Sequence, residues 1–334
     1  MHRRDQMTTI VRITDSWLRA TDNLIPPRIE SPVDRAYKLG LAILTHIFGV
    51  DWRDANIFRA RKGFLKNVTG ANTPLEREIH KMRIVLLAEM ILNLQHMPGF
   101  GACIYQMHDR DQIESTYAEL EIARLLYTQS DVAFAFRQPT GVKKDDYDLT
   151  ITYEDGVVSC AETKCKVEET EITLDTIERS FNKARAQMPS DMPGIIFVKV
   201  PRFWLDDEDF AFAMARLATE HFQKARKIVS IKYYTASVVF DQQPHGETTS
   251  EVIAYQEHSN PTHRFDSLRG KDWRIFPENP PVAPRERTSF NGMPPHWRRL
   301  FFYPDDRHPA VRFGISPVAL SLLGAPWRSI GSVK

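Results

Sequence analysis

Two short stretches carry the residues best suited to chemistry, Asp146-Tyr147-Asp148-Leu149-Thr150-Ile151 and Cys160-Ala161-Glu162-Thr163-Lys164. Both read as strands, where side chains two apart share a face, so Glu162 and Lys164 point one way and Ala161 and Thr163 the other. A carboxylate beside an ammonium is either a surface ion pair, worth at most about 1 kcal/mol, or part of a metal site. The turn between the strands, Glu154-Asp155-Gly156, bears on the choice. A two-residue loop, Asp155-Gly156, pairs Glu154 with Val157 and sets Asp148 opposite Thr163, on the wrong face. A three-residue loop, with Gly156 in the left-handed position of a bulge, pairs Tyr153 with Val157. Asp148 then stands opposite Glu162 with β-carbons about 5 Å apart, and this register is the expectation. Two carboxylates that close repel unless one is protonated or a cation lies between them. Oxygen donors in a partly hydrated site suit Mg²⁺, with Mn²⁺ as the alternative.

The surrounding elements must hold these strands in place. Ser31-Pro32 opens a helix that runs to about Gly49, and Thr73-Pro74-Leu75-Glu76 opens another with a capping box and a proline in its first turn. Met97-Pro98-Gly99 ends the second. A helix starting near Asp111 and Glu114 runs to about Tyr127, and strand-like runs follow over 132–137, 147–153 and 157–165. Asp175 with Glu178 starts the next helix, which Met188-Pro189 stops; 195–200 is a continuous apolar run, as expected of a strand buried on both faces. A further helix (about 207–227) and strand (about 229–240) extend this order. The fold class expected is therefore α/β, in three regions: a helical N-terminal part (1–110), a mixed core (111–257) and a C-terminal cover (258–334) rich in proline, arginine and aromatics.

The two chemical stretches resemble the PD-(D/E)xK, or restriction-endonuclease-like, nuclease superfamily. Its signature is an Asp opening the second core strand and Glu-x-Lys on the third, here Asp148-Leu149-Thr150-Ile151 and Glu162-Thr163-Lys164. Its αβββαβ core matches the order read over roughly residues 112 to 200. Tyr147 stands where the motif has Pro, and Ala161 and Thr163 where bulky apolar residues are usual beside the Glu. The resemblance implies a nuclease in which Asp148 and Glu162 bind Mg²⁺, and Lys164 orients the attacking water or stabilises the phosphorane. Several branches place a Glu on the first core helix, for which Glu119 is the better candidate and Glu121 the alternative. Some place a Gln on the helix after the motif, for which Gln187, near the helix end, is a lesser candidate. The resemblance also implies nucleic acid as the partner, DNA before RNA, and leaves a homodimer or a separate recognition partner open.

Other features narrow the classes. The chain has 334 residues and 44 Lys+Arg against 43 Asp+Glu, which excludes a globally basic binder but not a local basic groove. On the helix after the motif, Arg179 and Lys183 are four apart and share a face; with Lys166 they are candidate phosphate contacts, or simply a wet side. The basic run at 59–66 reads as a solvated face or loop. Only Cys103, Cys160 and Cys165 occur, so a disulfide framework is not expected and a reducing, cytoplasmic setting is. Cys160 and Cys165 fall on opposite faces of one strand, and His245, His258 and His263 lack zinc-site spacing. No phosphate-cradling Gly-Lys loop, nucleophile-elbow Ser, spanning apolar stretch or signal-peptide pattern is present.

Overall fold

The capping signals in the first half of the chain are met by the expected hydrogen bonds. The computed structural model describes residues 12–26, 32–60, 62–66, 73–127, 132–142, 144–166, 170–171, 173–201, 203–204, 207, 209–243, 246–268 and 327–329. Helix α1 (Asp15–Asn23) starts where Thr14 Oγ1 accepts from Trp17 N. Helix α2 (Pro32–Phe48) is followed by the short α3 (Val50–Arg53), which runs into a π turn at Asp54–Phe58. Helix α4 (Pro74–Leu94) carries the full capping box: Glu76 N donates to Thr73 Oγ1 at 3.3 Å and Thr73 N donates to the Glu76 carboxylate at 2.8 Å. Two donors that the first turn would leave orphaned are thereby satisfied. α2 packs on α4, burying Leu39, Ile43 and Leu44 with Ile84, Leu87 and Ile91.

Helix α5 (Phe100–Tyr105) leads into α6 (Ile113–Tyr127). The start of α6 differs slightly from expectation. Asp109, not Asp111, supplies the cap, accepting from Asp111 N at 3.0 Å and setting a 3₁₀ turn at Arg110–Gln112 before the α-helix begins. The basic run at 59–66, of which Arg61 lies outside the described residues, is a pinned loop. Arg110 donates to the Lys62 carbonyl, Arg83 lies 4.2 Å from the Phe64 ring centroid, and Leu65 is buried.

Contacts divide the chain into two compact units, one running to Leu120 and the other beginning at Glu121. The second is built on a mixed sheet with strands in the order β1 (Val132–Phe136), β2 (Leu149–Tyr153), β3 (Val158–Cys165), β4 (Gly194–Lys199), β5 (Ile228–Gln243), β6 (Gly246–Ser259) and β7 (Trp327–Ser329). β1, β2 and β3 are antiparallel neighbours, β3, β4 and β5 are parallel, and β5, β6 and β7 are antiparallel. Helix α7 (Leu174–Gln187) connects β3 to β4, and α8 (Phe210–Lys224) connects β4 to β5. The molecule is thus mixed α/β, with the succession helix, three strands, helix, strand from α6 to β4. Every residue of β4 is buried, as its unbroken apolar run requires.

One face of the sheet carries Cys160, Ile196, Val198, Ile231 and Tyr233, packed with Ile177, Phe181, Ala184 and Met188 of α7 and Met214, Ala218 and Phe222 of α8. The packing is tight at Gly194, where a Cβ would stand 2.5 Å from Met188 Sδ and 3.0 Å from Ile228 Cδ1. The other face presents Lys199 and Tyr234, which meet Glu121 of α6. Beyond Leu268 the expected C-terminal cover lies outside the described residues, apart from β7. Among the described residues no helix is long and apolar enough to cross a membrane.

Candidate active site

The β2–β3 hairpin decides which side chains meet. Tyr153 N donates to Val157 O and Gly156 N to Tyr153 O, both at 2.8 Å, so the loop is the three residues Glu154-Asp155-Gly156. Gly156 has φ +81°, the left-handed conformation that the bulge needs. The ladder then pairs Leu149 with Ala161, which places Asp148 beside Glu162 one step further along. Asp148 N donates to Ala161 O at 3.1 Å, and Asp148 Oδ2 accepts from Thr163 N at 2.6 Å. The aspartate is held by backbone on both sides, with its carboxylate turned toward β3.

Glu162 and Lys164 point to the α7 face of β3, and they form an ion pair through Glu162 Oε1. The Glu162 side chain is 1% exposed and that of Lys164 15%, so this is no surface pair. Lys164 Nζ also donates to Gln187 Oε1 at 2.8 Å. Gln187 ends α7 and is fixed in turn, since its Nε2 donates to Asp146 O at 3.0 Å and its carbonyl accepts from Asp146 N at 3.1 Å. Asp146 Oδ1 accepts from Thr140 N at 2.7 Å and Gly141 N at 3.3 Å, tying the β1–β2 loop to the same point. The lysine ammonium is therefore positioned by three elements: β3, α7 and the segment before β2.

The second oxygen of Glu162, Oε2, is buried and accepts no hydrogen bond. A carboxylate oxygen in that state is costly unless protonated or given a cation. Burial first, and then the Asp148 charge, pushes the Glu162 carboxyl well above its usual range, against the pull of Lys164. Asp148 is pushed up to about 6 by burial and by Asp146, against the pull of Lys164 and the Thr163 N–H. Two carboxylates that each resist ionisation alone, on one face, fit a divalent cation whose charge removes the cost. Among the described residues there is no cluster of three or more His, Cys, Asp or Glu side chains able to hold a metal, so the donor set here is two carboxylates. That number suits Mg²⁺, which keeps several of its waters.

The remaining expected residues fall as follows. Glu119 lies in the first unit, where its carboxylate accepts from Cys103 Sγ at 3.6 Å. Glu121, the alternative, is engaged on the opposite face of the sheet, with Lys199 Nζ at 2.7 Å and Tyr234 OH at 3.3 Å. Lys166 donates to Thr176 O at 3.1 Å, joining the end of β3 to the first turns of α7. Burial and the charges of Lys164 and Lys183, opposed by Cys165, lower its affinity for a proton. Lys183 is exposed, and its charge is felt at both Glu162 and Lys166. Arg179 is exposed one turn earlier, without an ion pair to the site. Cys160 packs in the α7–α8 core with Sγ 3.4 Å from Pro193 O, and Cys165 is half-buried. His258 stacks edge-on to Tyr233, His263 Nδ1 accepts from Phe265 N, and His245 lies outside the described residues.

Spacing in sequence undervalued Gln187. Its place near the helix end made it a lesser candidate, yet the same helix stop delivers its amide to Lys164. The repeated aspartates at 146 and 148 were the available signal that the segment before β2 is doubly anchored. Neither known protein-family models nor curated proteins show a match to this chain.

Proposed function

We propose that the chain is a Mg²⁺-dependent phosphodiester hydrolase, a nuclease of the PD-(D/E)xK type acting on DNA. The observation that carries this reading is the buried Glu162, with one oxygen on Lys164 and the other without a partner, beside Asp148. Asp148 and Glu162 would hold the metal. Bound there, the cation would acidify a water and offset negative charge at the scissile phosphate. Lys164, held between Glu162 and Gln187, is a fixed ammonium able to orient a nucleophilic water or stabilise a phosphorane oxyanion. Lys183 and Lys166 extend the positive charge along the α7 side, where a phosphate backbone would run. Glu119, bonded to Cys103 in the first unit, is not needed for this donor set.

The test is cleavage of single- and double-stranded DNA and RNA with Mg²⁺, Mn²⁺ or EDTA, wild type beside Glu162→Ala and Lys164→Ala. Metal-dependent cleavage of DNA that falls at least about 100-fold in both variants is expected, since each removes a charge acting on the transition state. Cleavage that persists in both variants places the chemistry elsewhere. A second reading is a nuclease-like module that binds without cutting, to which the near-neutral balance of 44 Lys+Arg against 43 Asp+Glu lends support. It predicts no cleavage of any substrate and no metal uptake by titration.

A further inference from the structure

The β1–β2 loop, the end of α7 and the turn after α8 bring basic side chains together next to the proposed nuclease site. Lys227, in the turn between α8 and β5, donates from Nζ to Met188 O at 2.7 Å, immediately beyond Gln187. Arg185, two residues before Gln187, donates from Nη1 to Lys224 O at 3.2 Å. Arg264 N donates to Arg226 O at 3.2 Å, which brings the segment after β6 against the same turn. Arg264 is exposed and lies 5.3 Å from the Phe265 ring centroid. Lys144 is exposed at the tip of a loop whose residue 146 is hydrogen-bonded to Gln187. Asp146 and Thr140 bond the backbone at Thr140 and Val142, Arg137 pairs with Asp145 at 2.6 Å, and Lys144 itself sits at φ +73°. A lysine in the left-handed region is uncommon.

Among the described residues, no carboxylate pairs with Lys144, Arg185, Lys227 or Arg264. Of the nearby acids, Asp145 pairs with Arg137 and Glu178 lies 4.0 Å from Lys224, while the exposed Asp191 acts on Cys160 together with Lys227, leaving four cations against one uncommitted carboxylate. Burial, and then the charges of Arg185, Lys144 and Arg264, hold Lys227 below the ordinary lysine range, opposed by Cys160. Like charges gathered without counter-charge destabilise a fold by mutual repulsion, and an external polyanion relieves it.

We infer that Lys144, Arg185, Lys227 and Arg264 form a docking surface for the phosphate backbone of DNA, continuous with the site through Gln187. This rests on the nuclease reading for its choice of polyanion, and it adds a surface which that reading does not use. The strand would be carried past Lys164 by contacts on both sides of it, Lys183 and Lys166 on one and this cluster on the other. Contacts of this kind set position and affinity and carry no base information.

The experiment is binding of labelled duplex DNA in EDTA, followed by fluorescence anisotropy from 50 to 200 mM salt on the order usual for such series. Wild type, the exposed double variant Lys144→Gln/Arg264→Gln, and the triple variant adding Arg185→Gln are compared, with thermal melting as the check that each folds. The expected result is a salt dependence shallower by roughly 0.9 in log–log slope for each cation removed. Arg185→Lys should restore most of the loss, and Lys224→Gln, whose partner is Glu178, should leave the slope unchanged. Equal slopes for wild type and the folded double variant would overturn the inference, as would no binding by wild type. Equal competition by inorganic phosphate or by anionic phospholipid vesicles at matched charge would also overturn it, by assigning the cluster to anions in general. Binding in EDTA does not require Asp148 or Glu162. Binding through the cluster without cleavage would thus reject the hydrolase and keep the surface, and cleavage with unaltered binding by the variants would do the reverse.

Discussion

Glu162 stands where a folded protein tolerates a carboxylate least. It is buried on one face beside the half-buried Asp148, and Lys164 satisfies only one of its oxygens. Such a site is less stable than its neutral replacement while no cation is present. In EDTA at pH 8, the triple variant Asp148→Asn/Glu162→Gln/Lys164→Met, which replaces the whole charged group, should therefore melt several degrees above wild type, an increase of about 1–3 kcal/mol. Added Mg²⁺ should raise the wild-type melting temperature with concentration and leave the triple variant unmoved. Differential scanning fluorimetry reads both effects without any substrate. A wild type insensitive to Mg²⁺, with a triple variant no more stable, would mean that the carboxylates serve packing alone.

At the scale of elements, α7 joins the core to the chemistry. Its buried stripe of Ile177, Phe181, Ala184 and Met188 packs on the sheet, and its last residue, Gln187, reaches Lys164. Gly194 sets the approach, because any larger residue meets Met188. Gly194→Ala should destabilise the protein by about 1–3 kcal/mol through overpacking. It should also lower cleavage, since the adjoining Gln187 moves with Met188. Urea denaturation checks the first, and the double variant Gly194→Ala/Met188→Ala should cost less than the sum of the two single changes. Additive costs would show that the two residues do not crowd one another.

For the whole molecule, three buried or half-buried histidines among the described residues contribute to the response to acid. His80, His221 and His258 are each held near about 4, by burial first, with nearby cations adding to it for His80 (Arg83) and His221 (Arg185). His80 lies in the first unit, bonded through Nε2 to Tyr37 OH at 3.0 Å, and the other two lie in the second. Their folded values are depressed below the unfolded value near 6.5. At these rings the unfolded chain binds more protons between about 4 and 6.5, so their contribution is complete above about 6.5 and is lost as the pH drops through that window, while Asp148 and Glu162, raised in the fold, act in the opposite sense. His80 and His221, both buried, should each account for up to about 3 kcal/mol of this loss. Melting temperature followed from pH 8 to pH 4 should decline most steeply below 6.5. His221→Phe, which keeps the ring beside Phe181, should flatten the decline. A flat profile to pH 5 in the Asp148→Asn/Glu162→Gln background, where the opposing carboxylates are gone, would show these rings open to solvent.

Local chemistry in the sequence determined the elements and their order. The capping box at Thr73, the apolar run that became β4 and the helical patterns over α6 and α7 depend on neighbours within a few residues, so they are legible in one dimension. The Asp148–Glu162 juxtaposition was legible for the same reason, because a three-residue loop with Gly156 sets the register by itself. Only tertiary structure decided what lies far along the chain: that Gln187, 23 residues beyond Lys164, bonds it, and that Glu121 is spent on the opposite face with Lys199. The grouping of Lys144, Arg185, Lys227 and Arg264 was likewise decided by packing, since these residues come from four separate segments. Contacts of that separation are set by how whole elements stack, and no spacing within a helix or a strand encodes them.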